Sequence, residues 1–136
     1  MADAGEQWIT VESTLEKVED TVEEILCRVD GNTLPNEKLF GFRLALHEAL
    51  TNAIVHGNHN DPAKSVSIGY RRTRDSAQVT IRDQGSGFDC TSIPDPTHED
   101  NLLQCSGRGI FLMRRLVDDV QYNKDGNQVT LTVESG

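Results

Sequence analysis

Residues 36–57 read NEKLFGFRLALHEALTNAIVHG, and their spacing predicts the central helix of the fold. At about 100° per residue, one arc of this helix is apolar along its whole length and marks the core face. Pro35 suits the start of the helix, and Gly57 suits the C′ position after its last turn. The apolar arc consists of Leu39, Phe42, Leu46, Leu50 and Ala53.

The opposite arc of this helix carries Glu48 and Asn52, which lie one turn apart on the same face. A polar pair at this spacing is usually a solvated surface. Here, however, Leu44 and Val55 flank the pair on one side and two alanines flank it on the other. Polar groups bordered by apolar and small residues indicate a pocket wall. His56 continues the row, and its place near the helix C-terminus favours a structural role.

The segments on either side of this helix predict an α+β fold in one domain, residues 1–136. A short strand over 7–11 precedes a first helix, for which Ser13 and Glu16 form a capping box. The order β-α-α-β-β-loop-α-β-β predicts a two-layer sandwich, in which three helices cover one face of a mixed, mainly antiparallel sheet. The downstream elements are strands over 64–73 and 77–83, a helix over about 110–118, and a hairpin of strands over 119–123 and 127–133.

Asp83 ends one predicted strand with the same parity as Val79 and Ile81. Because a strand sends alternate residues to one face, the Asp83 carboxylate points to the buried side, where an unpaired charge is costly. The alternative is that Asp83 only begins a turn. Gly85 and Gly87 follow it and allow a ligand to approach the backbone closely.

A second glycine loop, residues 106–109 (SGRG), stands directly before the third predicted helix. Free N–H groups at a helix N-terminus hold phosphate, and Arg108 adds a side-chain contact to the same anion. Either glycine triplet alone is more often a turn, and neither continues to a Rossmann fingerprint or a P-loop. Residues 89–106 between the loops are polar and aperiodic, and a loop this long is usually functional or disordered.

The composition excludes several classes of function. The net charge is −9, from 22 acidic and 13 basic residues, whereas a nucleic-acid binder needs a basic face. The three cysteines have no metal-ligand spacing, which indicates reduced thiols in a cytoplasmic protein. Neither a signal peptide nor an apolar run of membrane-spanning length is present in this sequence.

Taken together, the motifs resemble the GHKL ATPases, the superfamily of histidine kinases, gyrase, Hsp90 and MutL. They most resemble the small, single-domain anti-sigma-factor serine kinases of bacteria, the RsbW/SpoIIAB group. Residues 47–58 (HEALTNAIVHGN) look like the N-box of that family. Residues 83–88 (DQGSGF) look like its first glycine box, and residues 107–110 (GRGI) look like its second.

The resemblance implies a Bergerat-type fold that binds ATP and Mg²⁺. Glu48 would be the general base, Asn52 the magnesium ligand, and Asp83 the acceptor for the adenine amino group. Residues 89–106 would form the ATP lid. The nucleotide-binding residues implied in this way are Asn52, Asp83, Gly85, Gly87, Ser106, Gly107, Arg108 and Gly109.

The resemblance also implies partners. The substrate would be a serine or threonine of an anti-anti-sigma (STAS-type) protein, the second partner a sigma factor, and the assembly a homodimer. Cys105 stands where some members carry an arginine used in partner contacts, and this sequence departs from the family pattern there. Two alternatives stay open, a nucleotide-binding partner-switching module without kinase activity and a detached histidine-kinase ATP-binding domain.

Overall fold

The computed structural model describes residues 6–30, 34–73, 75–85, 113–123 and 127–134. Two long helices are α1 (Val18–Asp30) and α2 (Asn36–Asn52), and residues 113–116 are also helical. The strands are β1 (Gln7–Glu12), β2 (Ser65–Arg72), β3 (Ser76–Arg82), β4 (Asp119–Tyr122) and β5 (Gln128–Glu134).

These strands form one sheet in the order β1-β2-β3-β5-β4. Every pairing among them is antiparallel, so the described part of the sheet is simpler than the mixed sheet that we expected. The α+β class and the order of elements are confirmed. Parts of the third predicted helix and of both hairpin turns lie outside the described residues.

One face of the sheet packs against α1 and α2, and the other face is mainly polar but also carries Trp8. On β3, Ala77, Val79 and Ile81 are at most 2% exposed, whereas Gln78 and Arg82 point to the polar face. This alternation follows from the period of two in a β-strand. The helices contribute large, fully buried side chains to the same core, including Val22, Ile25, Phe42, Leu46 and Leu50, which confirms most of the predicted arc of α2.

The start of the first helix differs from the predicted capping box. Residues Leu15–Lys17 form a 3₁₀ turn whose N-cap, Thr14, makes no side-chain capping bond. Ser13 is 1% exposed, and its Oγ accepts a hydrogen bond from Asn58 Nδ2 at 3.0 Å. A hydroxyl engaged in this tertiary contact does not cap the helix, so the capping-box prediction with Glu16 is wrong.

The C-terminus of α2 also differs from the predicted helix end. After the regular helix, Ala53–Gly57 widen into a π-helical turn, and Asn58 N–H donates to the carbonyl five residues earlier at 2.8 Å. The left-handed residues are His59 (φ 55°) and Asn60 (φ 58°), not Gly57, so the C′ assignment is wrong. Position 57 has no room for a side chain because the side chain of another residue packs against it, as described below. Turns of this π type often occur at functional sites.

None of the helices within the described ranges has the length and apolar character required to cross a bilayer.

Candidate functional site

A cavity opens between the C-terminal part of α2 and the adjoining ends of β3, β4 and β5. The empty space in and in front of it is about 250 Å³, and most of that space is open to solvent. It brings together Asn52 and Asp83, which the sequence placed on separate motifs. The residues that line it are Ala49, Asn52, Ala53, Ile81, Asp83, Tyr122, Asn127, Gln128 and Val129.

The side chain of Asn52 is buried in the wall of this cavity, with 8% of the residue exposed. Within the described ranges its Nδ2 has no hydrogen-bond partner. Leaving a buried amide unpaired costs about 1–3 kcal/mol, and an exception of this kind calls for an explanation. A polar ligand in the cavity would satisfy the group. The burial of Asn52 also excludes a solvated face at this position.

Glu48 lies one turn before Asn52 on α2 and is half-buried, outside the cavity lining. The small residues expected beside the pair are present, since Ala45 and Ala49 are buried and Ala49 lines the cavity. Leu44, in contrast, is 43% exposed. Val55, on the same side, is half-buried, so the apolar border expected around the polar pair is only partly buried there.

Asp83 is 9% exposed at the end of β3, as strand parity predicted. Its Oδ1 accepts the backbone N–H of Gly85 at 2.8 Å, which orients the carboxylate. Burial raises the pKa of Asp83, while this N–H and the charges of Lys64 and His59 act in the opposite direction. The fold therefore holds a carboxylate in an environment that disfavours its charge, which is typical of functional groups.

Two glycines allow the loop after β3 to touch the end of α2. A Cβ on Gly57 would lie 2.7 Å from Oδ1 of Asp83, and a Cβ on Gly85 would lie 2.8 Å from the Gly57 carbonyl carbon. Both distances are shorter than side-chain atoms tolerate. We expected Gly85 to make room for a ligand, but the neighbour that fills this space is the Gly57 backbone. These contacts bring Asp83 against the end of the helix that carries Asn52.

Tyr122 is a cavity residue that the sequence reasoning missed. It lies on β4 opposite Val129 and shares the buried face of the sheet with Val120. Burial raises the pKa of Tyr122, the carboxylates of Glu48 and Asp83 add to this effect, and Arg114 opposes it. The phenol is thus within electrostatic reach of both acids. Strand parity with Val120 was the signal that could have identified it.

Several expected site residues cannot be placed. Residues 86–112 lie outside the described part of the chain, and they include the expected lid and the whole second glycine loop. Within the described ranges, no group of three or more His, Cys, Asp or Glu side chains could hold a metal ion. His56 is exposed in the π-helical turn and does not line the cavity. The expected residues in the undescribed segment are Gly87, Cys105, Ser106, Gly107, Arg108 and Gly109.

The sequence matches the histidine kinase-like ATPase domain over residues 8–133. The chain therefore belongs to this family, which confirms the resemblance to the GHKL ATPases.

Individual relatives carry more specific names. The chain is 31% identical over 112 residues to an anti-sigma F factor of Geobacillus stearothermophilus, covering 81% of this chain and 75% of that protein. It is 31% identical over 93 residues to a serine-protein kinase RsbW of Oceanobacillus iheyensis, covering 64% of this chain and 59% of that protein. A serine-protein kinase RsbW of Bacillus subtilis is 30% identical over 103 residues, with 71% and 64% covered. The match to the Oceanobacillus kinase thus spans less than two thirds of its length.

Proposed function

We propose that this protein binds ATP with Mg²⁺ in the cavity between α2 and the sheet. On this proposal it is an ATP-dependent serine/threonine protein kinase and anti-sigma factor. The observation that carries the proposal is the side-chain Nδ2 of buried Asn52, which has no hydrogen-bond partner among the described residues and lines the same cavity as buried Asp83. Membership of an ATPase family supports the choice of ligand, and the names of the relatives support the choice of substrate.

Asp83 suits the adenine end of the nucleotide. A carboxylate accepts hydrogen bonds only, so opposite the C6 substituent of a purine it pairs with the amino group of adenine and repels the carbonyl oxygen of guanine. The close packing of Gly57 and Gly85 fixes this carboxylate at the cavity wall. Gly87 lies two residues further along the same loop and would pack against the base.

Asn52 suits the phosphate end. Its amide oxygen is a neutral ligand for Mg²⁺, a hard cation that prefers oxygen and retains several waters. Bound ATP and Mg²⁺ supply the transferable phosphoryl group together with the neutralisation of its charge. This neutralisation matters in a chain of net charge −9. Ser106, Gly107, Arg108 and Gly109 would hold the phosphates, and residues 89–106 would be the lid of this single domain.

Glu48 suits the role of general base. It lies one turn from Asn52 and is half-buried, so a protein substrate can reach its carboxylate from the solvent side. There it takes the proton from the hydroxyl of the incoming serine or threonine. The proposed substrate is an anti-anti-sigma (STAS-type) protein, and the proposed sequestered partner is a sigma factor. We place this activity in a homodimer in the cytoplasm.

A phosphate-transfer assay tests the proposal. Purified protein is incubated with γ-labelled ATP, Mg²⁺ and a candidate STAS-type protein from the same organism. We expect acid-stable labelling of a serine or threonine in the partner, and Glu48→Gln abolishes labelling but retains nucleotide binding. Glu37→Gln is the matched control, since Glu37 is exposed in the first turn of the same helix.

Three other outcomes would each contradict one part of this proposal. Full transfer by Glu48→Gln would remove Glu48 as the base. Tight binding of ATP and partner without any transfer would favour a partner-switching module. Acid-labile label would indicate phosphohistidine and a detached histidine-kinase domain.

A further inference from the structure

Asn58 is fully buried directly after the π-helical turn that ends α2. Its Oδ1 accepts the backbone N–H of Gln84 at 2.8 Å. Its Nδ2 donates to the Ser65 carbonyl and to Ser13 Oγ, both at 3.0 Å. One amide thus joins the end of α2 to the end of β1, the start of β2 and the loop after β3.

Gln84 is the middle residue of the turn that begins with Asp83. The Asn58 amide holds this turn at its backbone, and the Gln84 side chain adds a second attachment, because its Oε1 accepts the Ser65 N–H at 2.6 Å. Both attachments lie on the side of the turn that faces α2 and β2. Asp83 is therefore anchored through the residue that follows it.

Asn127 holds the same turn from the opposite side. Its carbonyl accepts the Asp83 N–H at 3.0 Å, and its Nδ2 donates to the Gly85 carbonyl at 3.3 Å. Asn127 lines the cavity, so a ligand can contact it directly. Asn58 is not among the cavity-lining residues, and any effect that it has on a ligand must pass through the turn.

We propose that Asn58 is a positioning residue for base recognition, which fixes the turn at residues 83–85 so that the Asp83 carboxylate meets the edge of the base. This inference rests on the proposed function, in which Asp83 reads adenine. Among the described residues Gln84 has no ladder partner in the sheet, and the Asn58 amide takes the place of one. Without it, Asp83 keeps its charge but loses its fixed direction, and the preference for an amino group over a carbonyl oxygen falls.

The ratio of the Kd values for Mg-GTP and Mg-ATP, measured on the full chain by calorimetry, tests this role. A purely structural role would lower the melting temperature of Asn58→Ala without moving the ratio. We expect the preference for ATP to fall about tenfold, equivalent to about 1.4 kcal/mol. Asn58→Ser should lose the ATP preference to the same extent, because its hydroxyl is too short to reach the Gln84 N–H. This variant replaces Asn58→Ala in the test if the alanine variant does not fold.

Two control variants distinguish an effect on the position of Asp83 from a general loss of protein stability. Ser13→Ala removes a partner of the same amide on the side away from the turn, and Gln78→Ala removes a side-chain bond to Thr132 on the polar face of the sheet. Both should melt earlier than wild type and keep its ATP preference.

The outcomes of this test separate the two proposals. A wild-type preference for ATP that persists within about twofold in the folded Asn58 variants would overturn the positioning role and leave the proposed function intact. Failure of the wild-type protein to bind ATP would overturn both, because Asp83 would then read no base.

Discussion

The contact between Gly57 and Asp83 makes Gly57→Ala an informative substitution. The added methyl group would lie 2.7 Å from Asp83 Oδ1 and closer still to the rest of the carboxylate. Two effects oppose each other. Alanine in a helical backbone is favoured over glycine by about 1 kcal/mol, whereas overpacking a buried site costs about 1–3 kcal/mol. Because Gly85 N–H holds the carboxylate at 2.8 Å, the steric cost should dominate and leave a net destabilisation of up to about 2 kcal/mol.

The larger effect is expected in nucleotide binding. On the proposed function, a displaced Asp83 would lose its hydrogen bond to the base, and a hydrogen bond to a charged group is worth about 1.5–3 kcal/mol. The Kd for Mg-ATP should therefore rise by about 10- to 150-fold. Isothermal titration calorimetry measures this change, and urea unfolding of the same samples measures the stability.

Gly69→Ala is the matched control, because its methyl group would lie 2.7 Å from a carbon of the Trp8 ring on the opposite face of the sheet. This variant is crowded in a similar way but should bind ATP like wild type. The reasoning is refuted if Gly57→Ala retains wild-type affinity, or if both variants lose affinity equally.

Three further predictions concern single side chains. Asp83→Asn should stabilise the ligand-free protein at pH 7. The pKa of Asp83 is raised in the folded state, so ionisation of its carboxyl group lowers the free energy of unfolding once the pH rises above about 3.8, the ordinary value. Asparagine does not ionise and avoids this loss. Melting curves should show this gain vanish toward that pH, and a gain that grows on acidification would contradict it. Asn52→Ala should lower the free energy of unfolding by less than about 1 kcal/mol without ligand, but weaken Mg-ATP binding at least about tenfold. A larger loss of stability in urea unfolding of the ligand-free protein would show that the amide has a structural role. Ser13→Ala should cost about 1 kcal/mol in the same assay while Glu16→Ala is nearly neutral, and equal losses would restore the capping box.

Features with a fixed local period could be predicted from the sequence. The burial of Asp83 followed from its parity with Val79 and Ile81, because strand geometry admits only two faces. The same reasoning gave the buried arc of α2, where Phe42 and Leu46 are inaccessible to solvent.

Features decided by distant residues could not be predicted. Ser13 followed by Glu16 satisfies a local capping rule, but the hydroxyl bonds to Asn58, which is 45 positions away in the chain. Gly57 has the sequence context of a helix end, but no side chain fits at this position because the carboxylate of Asp83 occupies the space. Rules for capping and for helix ends consider only neighbouring residues, so they cannot predict a contact with a residue far away in the sequence.

The burial of Asn52 has a similar origin. A helical wheel places it opposite the core arc of α2, where a single helix packed on a sheet would be solvated. In the structure, Asn52 shares the lining of the cavity with Tyr122 of β4 and Val129 of β5, which lie on the buried face of the sheet. The wheel therefore located the correct side chain, but only the strand order explains why it is buried.

NMR of side-chain and backbone amides can show whether the cavity that holds Asn52 and Asp83 binds the adenine nucleotide. The Asn52 side-chain NH₂ signal is assigned by its loss in Asn52→Ala, and the Gly85 N–H reports on Asp83. We predict that titration with Mg-ATP shifts both signals in a saturable manner, and that Mg-GTP at the same concentration does not. Saturable ATP binding that leaves both signals unmoved would place the nucleotide elsewhere and contradict the account.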